Sequence, residues 1–290
     1  MLNLRLLFVA IAWGVNFSLV KFALADFYPL GFTIVRFFLA ALFLFCVMLI
    51  QREPFRVERR DIGKIILLGF IGISLYNILF MYGLQRTTAS NSALFIAMSP
   101  LFAAMTQFAT KNERLTSGGA LGLLLSSVGA LLIIWTRTGG LSFSWQDVSG
   151  DLLTLAASFS WALYTLLAKP LLEKYSPIKI TAYSMAVGTL FLLPLGLPEL
   201  ANQPWRTISV MSWSALGFAA LIAGGIAYTF WYQGVQKLGV TKTIIYHYLM
   251  PFVAVSFAAL FLHEQITFLQ IFGGCSILAG VYLVQTASNR

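Results

Sequence analysis

Ten stretches of about twenty predominantly apolar residues follow one another along the chain, separated by short polar segments. They run from Leu4 to Leu24, Leu30 to Ile50, Ile62 to Gly83, Ala89 to Thr110, Thr116 to Trp135, Gly150 to Lys169, Pro177 to Leu197, Trp213 to Val235, Thr241 to Leu262 and Ile266 to Gln285. Each is long enough to cross a hydrocarbon core roughly 30 Å thick at about 1.5 Å of rise per helical residue. Lipid offers backbone groups no hydrogen-bonding partner, so spans of this length are expected as helices. The strands of a barrel would be shorter and would alternate. The pattern predicts an all-α integral membrane protein with ten transmembrane helices.

Composition removes the soluble alternative. Of 290 residues 59% are hydrophobic and 10% charged, whereas soluble domains carry about 25% charged residues. The first stretch resembles a signal peptide, because Arg5 precedes an apolar run and Ala23-Leu24-Ala25 imitates a small-x-small cleavage site. Its pattern recurs around Trp161, far from the N-terminus, so the first stretch is expected to persist as a helix.

That recurrence extends along the chain. Trp13 and Lys21 reappear 148 positions later as Trp161 and Lys169, and Gly69-Phe70 as Gly217-Phe218. Gly83, Pro100, Glu113, Thr116, Gly122 and Gly129 reappear 151 positions later as Gly234, Pro251, Glu264, Thr267, Gly273 and Gly280. A three-residue insertion therefore lies between Gly69 and Gly83. The repeats are expected at 1–137 and 149–290, joined by a linker at 138–148, with five spans in each.

An odd number of spans per repeat sends the second copy into the membrane from the opposite side. Loop charges agree: the basic loop Gln51 to Asp61 corresponds to Pro198 to Ser212, which keeps only Arg206, and the loop with Lys111 and Arg114 corresponds to one around His263 without Lys or Arg. With a cytoplasmic N-terminus, only Lys21, Arg36, Arg86, Arg137 and Arg206 of the 19 basic residues fall on the outer side. The positive-inside rule then places both termini in the cytoplasm, with the cell (inner or plasma) membrane as the expected location. A 5+5 inverted repeat can enclose one cavity at the bilayer midplane and open it to either side in turn. The net charge of +9 sits in loops, which argues against a nucleic-acid partner. Cys46 and Cys275 lie within spans and offer neither a disulfide framework nor a metal site.

Ala12-Trp13-Gly14-Val15-Asn16-Phe17, then Arg36, Pro100 and Asn112-Glu113-Arg114-Leu115-Thr116 before a glycine-rich fifth span, resemble the EamA-type pattern of the drug/metabolite transporter superfamily. The resemblance covers both halves. It implies a carrier of small metabolites, aromatic amino-acid exporters among them, with a central cavity between two four-helix bundles and the fifth and tenth helices outside.

Polar groups inside spans are the candidate substrate contacts, since an unpartnered one is costly there. His247, whose counterpart is Ile96, is the histidine well inside a span; it serves either as a ligand or pH-sensitive group, or as a structural partner of a neighbouring carbonyl. Trp13 and Asn16 share a helix face, as do their counterparts Trp161 and Tyr164, which suggests a cavity wall over the alternative of lipid-interface tryptophans. Tyr76, Asn77, Phe80 and Tyr82 form a polar-aromatic cluster in the third span, and the eighth span offers Tyr228, Trp231, Tyr232 and Gln233; not all of these can point inward. Arg36, opposite Ser184 in the other repeat, has three readings: snorkelling outward, pairing with Asp26, or attracting a substrate carboxylate. Pro100 and Pro251 deprive the Ile96 and His247 carbonyls of their helical partners and are candidate gating points, or plain packing features. Lys21 and Lys169 read as anchors, and Glu113 and Glu264 as caps of the outer helices. Gly118, Gly122, Ser126 and Ala130 form a small-residue face that binds either the rest of the chain or a second copy in a homo-oligomer.

No acid lies at a span centre, so facilitated diffusion or exchange is expected, with His247 as the alternative coupling group. An intramembrane enzyme is disfavoured by the lack of Gly-x-Ser-x-Gly and His-Glu-x-x-His, and no cofactor or metal motif is present. A noncatalytic scaffold or receptor is the other rival. The leading expectation is a carrier of amino acids or aromatic and hydrophobic compounds, with lipid and small-molecule substrate as partners.

Overall fold

The computed structural model describes residues 3–109, 117–137 and 145–288. Lys111, Glu113, Arg114, Thr116 and most of the expected linker lie outside the described residues. Among the described residues the chain is helical throughout, without a strand, in ten segments: α1 Leu4–Ala23, α2 Pro29–Ile50, α3 Arg59–Arg86, α4 (residues 89–109), α5 Ser117–Arg137, α6 Trp145–Leu172, α7 Pro177–Asn202, α8 Val210–Leu238, α9 (residues 240–261) and α10 Phe268–Ser288. Seven of them are long and apolar enough to cross a membrane, and the other three contain the shorter apolar stretches Ser117–Gly129, Met250–Phe261 and Phe268–Leu283. Helix α7 runs through Pro194 and Pro198, beyond the expected end at Leu197. Near its end the Pro198 carbonyl accepts from Asn202 Nδ2 at 2.8 Å.

Packing is crossed between the halves. Helix α1 lies against α8 and α9, and its counterpart α6 lies against α3 and α4; α2 meets α7, and α5 meets α10. The pattern is unchanged when the two halves are exchanged, as an inverted repeat requires.

The three-residue insertion has a definite place. Helix α3 is π-helical over Phe70–Leu75 and α8 over Phe218–Ile226. The glycines before these stretches, Gly69 and Gly217, are 148 positions apart; the residues after them, Tyr76 and Ala227, are 151 apart. Wider turns with i→i+5 bonding absorb extra residues without ending the helix, so the insertion lengthens the π-helical stretch of α8.

The proline helices α4 and α9 both break, each in its own way. Pro100 leaves the Ile96 carbonyl without a helical donor, and Ser158 Oγ of α6 supplies one at 3.2 Å. Around Pro251 the chain tightens instead into a 3-10 turn over Ile245–Leu249, and the Met250 amide bonds the His247 carbonyl. Both carbonyls are thus satisfied.

The small-residue face of α5 packs on α10 of the same chain, where Ser126 Oγ donates to the Ile277 carbonyl at 3.3 Å. A methyl group on Gly280 would stand 2.5 Å from the Gly122 carbonyl, so glycine sets this close approach. Glu264 caps a helix, though not the one it precedes: its carboxylate accepts from Ala89 N at 2.8 Å and from Ser90 N at 3.2 Å and Ser90 Oγ at 2.6 Å, at the start of α4. Helix α10 begins with its own capping box, in which Thr267 and Gln270 bond each other's backbone amides.

Candidate functional site

The helices that cross between the halves, α1, α3, α6, α8 and α9, converge on a buried cavity together with α2 and α4. Its walls are Trp13, Asn16, Phe17, Arg36, Tyr76, Phe80, Ile96, Trp161, Tyr228, His247 and Met250. The space open to the centres of water molecules is about 30 Å³, room for more than one water. Aromatic rings pack against one another along its walls. Trp13 and Trp161 meet edge to face at 5.2 Å between centroids, and Tyr228 stands edge-on to both at 5.4 and 5.3 Å. Tyr76 leans on Trp161 at 5.2 Å.

Two side chains from the first repeat are tied to the π-helical stretch of α8. Trp13 Nε1 donates to the Ala223 carbonyl at 2.8 Å, and Arg36 Nε to the Ala219 carbonyl at 3.0 Å. Arg36 is buried and rests over the Phe37 ring at 4.7 Å. It neither snorkels nor pairs with Asp26, whose carboxylate accepts from Ser209 and Ser212 at the start of α8. The equivalent carbonyl in α3, that of Ile71, accepts from Ser160 Oγ of α6 at 2.8 Å.

His247, also a lining residue, is buried. Its Nδ1 lies 2.8 Å from Ser99 Oγ, and its ring stacks on Trp231 at 4.4 Å. Several buried polar atoms of the lining residues have no hydrogen-bond partner among the described residues: Asn16 Oδ1, Trp161 Nε1 and His247 Nε2.

The positions where the repeats differ divide into an open pair and a closed one. Asn16 and Arg36 both line the cavity. Their counterparts Tyr164 and Ser184 are engaged with each other, hydroxyl to hydroxyl at 3.2 Å, behind the wall. Of the expected site residues, Trp13, Asn16, Arg36, Tyr76, Trp161, Tyr228 and His247 thus come together. Tyr164 and Trp231 form a second layer, in contact with Trp161 at 5.3 and 6.1 Å. Asn77 and Tyr82 are elsewhere: Asn77 Nδ2 bonds the Ile73 carbonyl of its own helix, and Tyr82 donates to Glu199 between α3 and α7. Pro100 is buried in α4, and Pro251 faces a separate apolar groove between α9 and α10. Phe17, Ile96 and Met250 are lining residues that sequence reasoning did not single out as contacts. The Ile96 position was recoverable as the repeat counterpart of His247.

No group of metal-ligating side chains occurs among the described residues. Lys21, expected as an anchor, donates to the carbonyls of Leu84, Gln85 and Thr87 and so closes the C-terminal end of α3.

Ten helices in two crossed sets of five around a buried central cavity define the class: a polytopic α-helical membrane protein with transporter architecture. A solved crystal structure shares this fold with a TM-score of 0.70 over 98% of this chain and 96% of its own, at 16% identity. The EamA-like transporter family matches residues 2–135 and again 148–286, and the chain belongs to that family. Similar proteins include the uncharacterized transporter YyaM of Bacillus subtilis, 28% identical over 96% of this chain and 91% of its own. An uncharacterized transporter of Archaeoglobus fulgidus is 29% identical over 99% and 98%. A probable terminal-alkyne amino-acid exporter of Streptantibioticus cattleyicolor is 28% identical over 96% and 91%.

Proposed function

We propose that the chain carries small aromatic or hydrophobic metabolites, amino acids among them, across the cell membrane by alternating access. The observation that carries this reading is the buried cavity between the halves, walled by Trp13 and Trp161. Room for a few waters is small against a metabolite, so in this reading loading parts the aromatic walls toward one side. The crossed packing supplies a counterpart motion: whatever α1, α8 and α9 do to one opening, α6, α3 and α4 do to the other. Residues 1–137 and 149–290 are the two moving repeats in this scheme, and the loop charges set both termini in the cytoplasm. The probable terminal-alkyne amino-acid exporter among the similar proteins supports the amino-acid part of this range.

The test is reconstitution in liposomes preloaded with unlabelled compound, followed by counterflow of labelled tryptophan, phenylalanine, leucine and an aromatic cation. Saturable counterflow of at least one amino acid is expected. Its complete absence, or a chemically altered product, contradicts the reading.

A further inference from the structure

The cavity is rich in donors and carries one fixed charge. Among its lining residues Arg36 is a permanent cation, and none is an acid. Among the described residues its hydrogen bond goes to the Ala219 carbonyl, and none of the ion pairs includes it. An uncompensated buried cation is costly, and an anion brought beside it recovers much of that cost. Because Nε is held by the Ala219 carbonyl, the two terminal nitrogens remain, and their parallel N–H groups match a carboxylate in bidentate geometry.

Two more donors share the cavity. The Ser99 hydroxyl is buried, and its one described hydrogen-bond partner is His247 Nδ1. With Ser99 donating to Nδ1, which gives the buried hydroxyl proton its acceptor, the imidazole proton stands on Nε2; the inference takes this tautomer. His247 Nε2 and Trp161 Nε1 are both unpartnered on side chains 1% and 2% exposed. Against these donors stands one unpartnered acceptor of the lining, Asn16 Oδ1.

We infer that the transported compound is a small organic carboxylate with an aromatic or hydrophobic body, its carboxylate on Arg36 and the donors Trp161 and His247, its body between the indole rings. A positive charge on the ligand is not required, and a cation lacking a carboxylate is rejected. The inference rests on the carrier reading of the same cavity and adds its chemical selectivity. It also gives the ligand a polarity: the position opposite Arg36 in the other repeat is Ser184, already engaged by Tyr164.

The ligand series 3-phenylpropionate, L-phenylalanine and phenethylamine separates anion, zwitterion and cation on one aromatic body. Binding is read by intrinsic fluorescence of the purified protein, since Trp13, Trp161 and Trp231 are at or behind the wall. Both carboxylates are expected to give saturable signals and phenethylamine none. Arg36→Gln is expected to weaken 3-phenylpropionate by at least about tenfold, as loss of a charged hydrogen bond does, with partial recovery in Arg36→Lys. Equal binding of phenethylamine, no saturable response to either carboxylate, or unchanged affinity in folded Arg36→Gln overturns the inference. If Arg36→Gln does not fold, the wild-type series alone decides. Counterflow in liposomes separates the two levels. Saturable exchange of phenethylamine but of neither carboxylate removes the carboxylate site and keeps the carrier. Carboxylate binding without exchange of any of the three supports the site and removes the carrier.

Discussion

Trp13 and Trp161, equivalent positions of the two repeats, touch edge to face with centroids 5.2 Å apart and planes at 88°. Counterparts in contact stand beside the axis that relates the halves. Their surroundings are nonetheless unequal, because Trp13 Nε1 donates to Ala223 while Trp161 Nε1 has no partner among the described residues. A carrier that exchanges the conformations of its halves would exchange these two roles.

The inequality is measurable in stability. Trp13→Phe removes a buried hydrogen bond and leaves the Ala223 carbonyl short of a donor, which costs about 1–3 kcal/mol beyond the ring change itself. Trp161→Phe deletes an N–H that has no partner and is expected to melt closer to wild type. Thermal melts of the two detergent-purified variants compare them directly; equal losses would contradict the assigned bonding.

Gly72 of α3 lies directly against the Tyr164 ring of α6. A methyl group there would lie 1.7 Å from Tyr164 Cδ2, and Tyr164 is wholly buried. Gly72→Ala is expected to destabilise by about 1–3 kcal/mol or more through overpacking, with partial recovery when Tyr164→Leu is added. Gly63→Ala meets nothing within 4 Å, and in a helix interior it is expected to be neutral or to stabilise by up to ~1 kcal/mol.

The two proline breaks respond differently to mutation. Ser158→Ala leaves the Ile96 carbonyl unpartnered at a cost of about 1–3 kcal/mol. The counterpart of Ser158 is Ala10, which has no hydroxyl to lose, because Met250 N already serves the His247 carbonyl. Ala10→Ser is therefore expected not to stabilise. A melting temperature that rises with Ala10→Ser and holds with Ser158→Ala would reverse this account.

Outside the spans, Asp26 makes stability respond to acid. Hydrogen bonds from Ser212 and Ser209 hold its carboxyl below the ordinary value of an aspartate. A depressed native value means that the contribution is complete above the unfolded value and is lost as pH falls through the folded one. Asp26→Asn is expected to lower stability at neutral pH and to reduce the difference from wild type below pH 3.8. Melts at neutral and acid pH check the sign.

The spans, the repeat and its inversion were legible because each rests on a long pattern: apolar runs, recurring glycines and prolines, and loop charge. The insertion was confined to the interval between Gly69 and Gly83, yet nothing in the residue types announced π-helical turns. Arg36 was legible as a cation within a span, but neither its burial nor its partner was. Asp26 was the nearby acid in sequence, while the actual acceptor is a backbone carbonyl 183 positions away, and carbonyls carry no sequence signature. Tyr76 and Tyr82 looked alike as aromatic hydroxyls. Their separation along one helix points them to different neighbours, Tyr76 to Trp161 and Tyr82 to Glu199.

The central claim is that substrate passes through the cavity at Trp13 and Trp161. Counterflow in proteoliposomes, compared among wild type, Trp161→Ala and Gly63→Ala with melting curves as a folding control, tests it most directly. The account predicts saturable exchange in wild type and Gly63→Ala, and a loss of at least about tenfold in Trp161→Ala that remains folded, the scale expected for removing a central aromatic contact. Full exchange in a folded Trp161→Ala protein would contradict it.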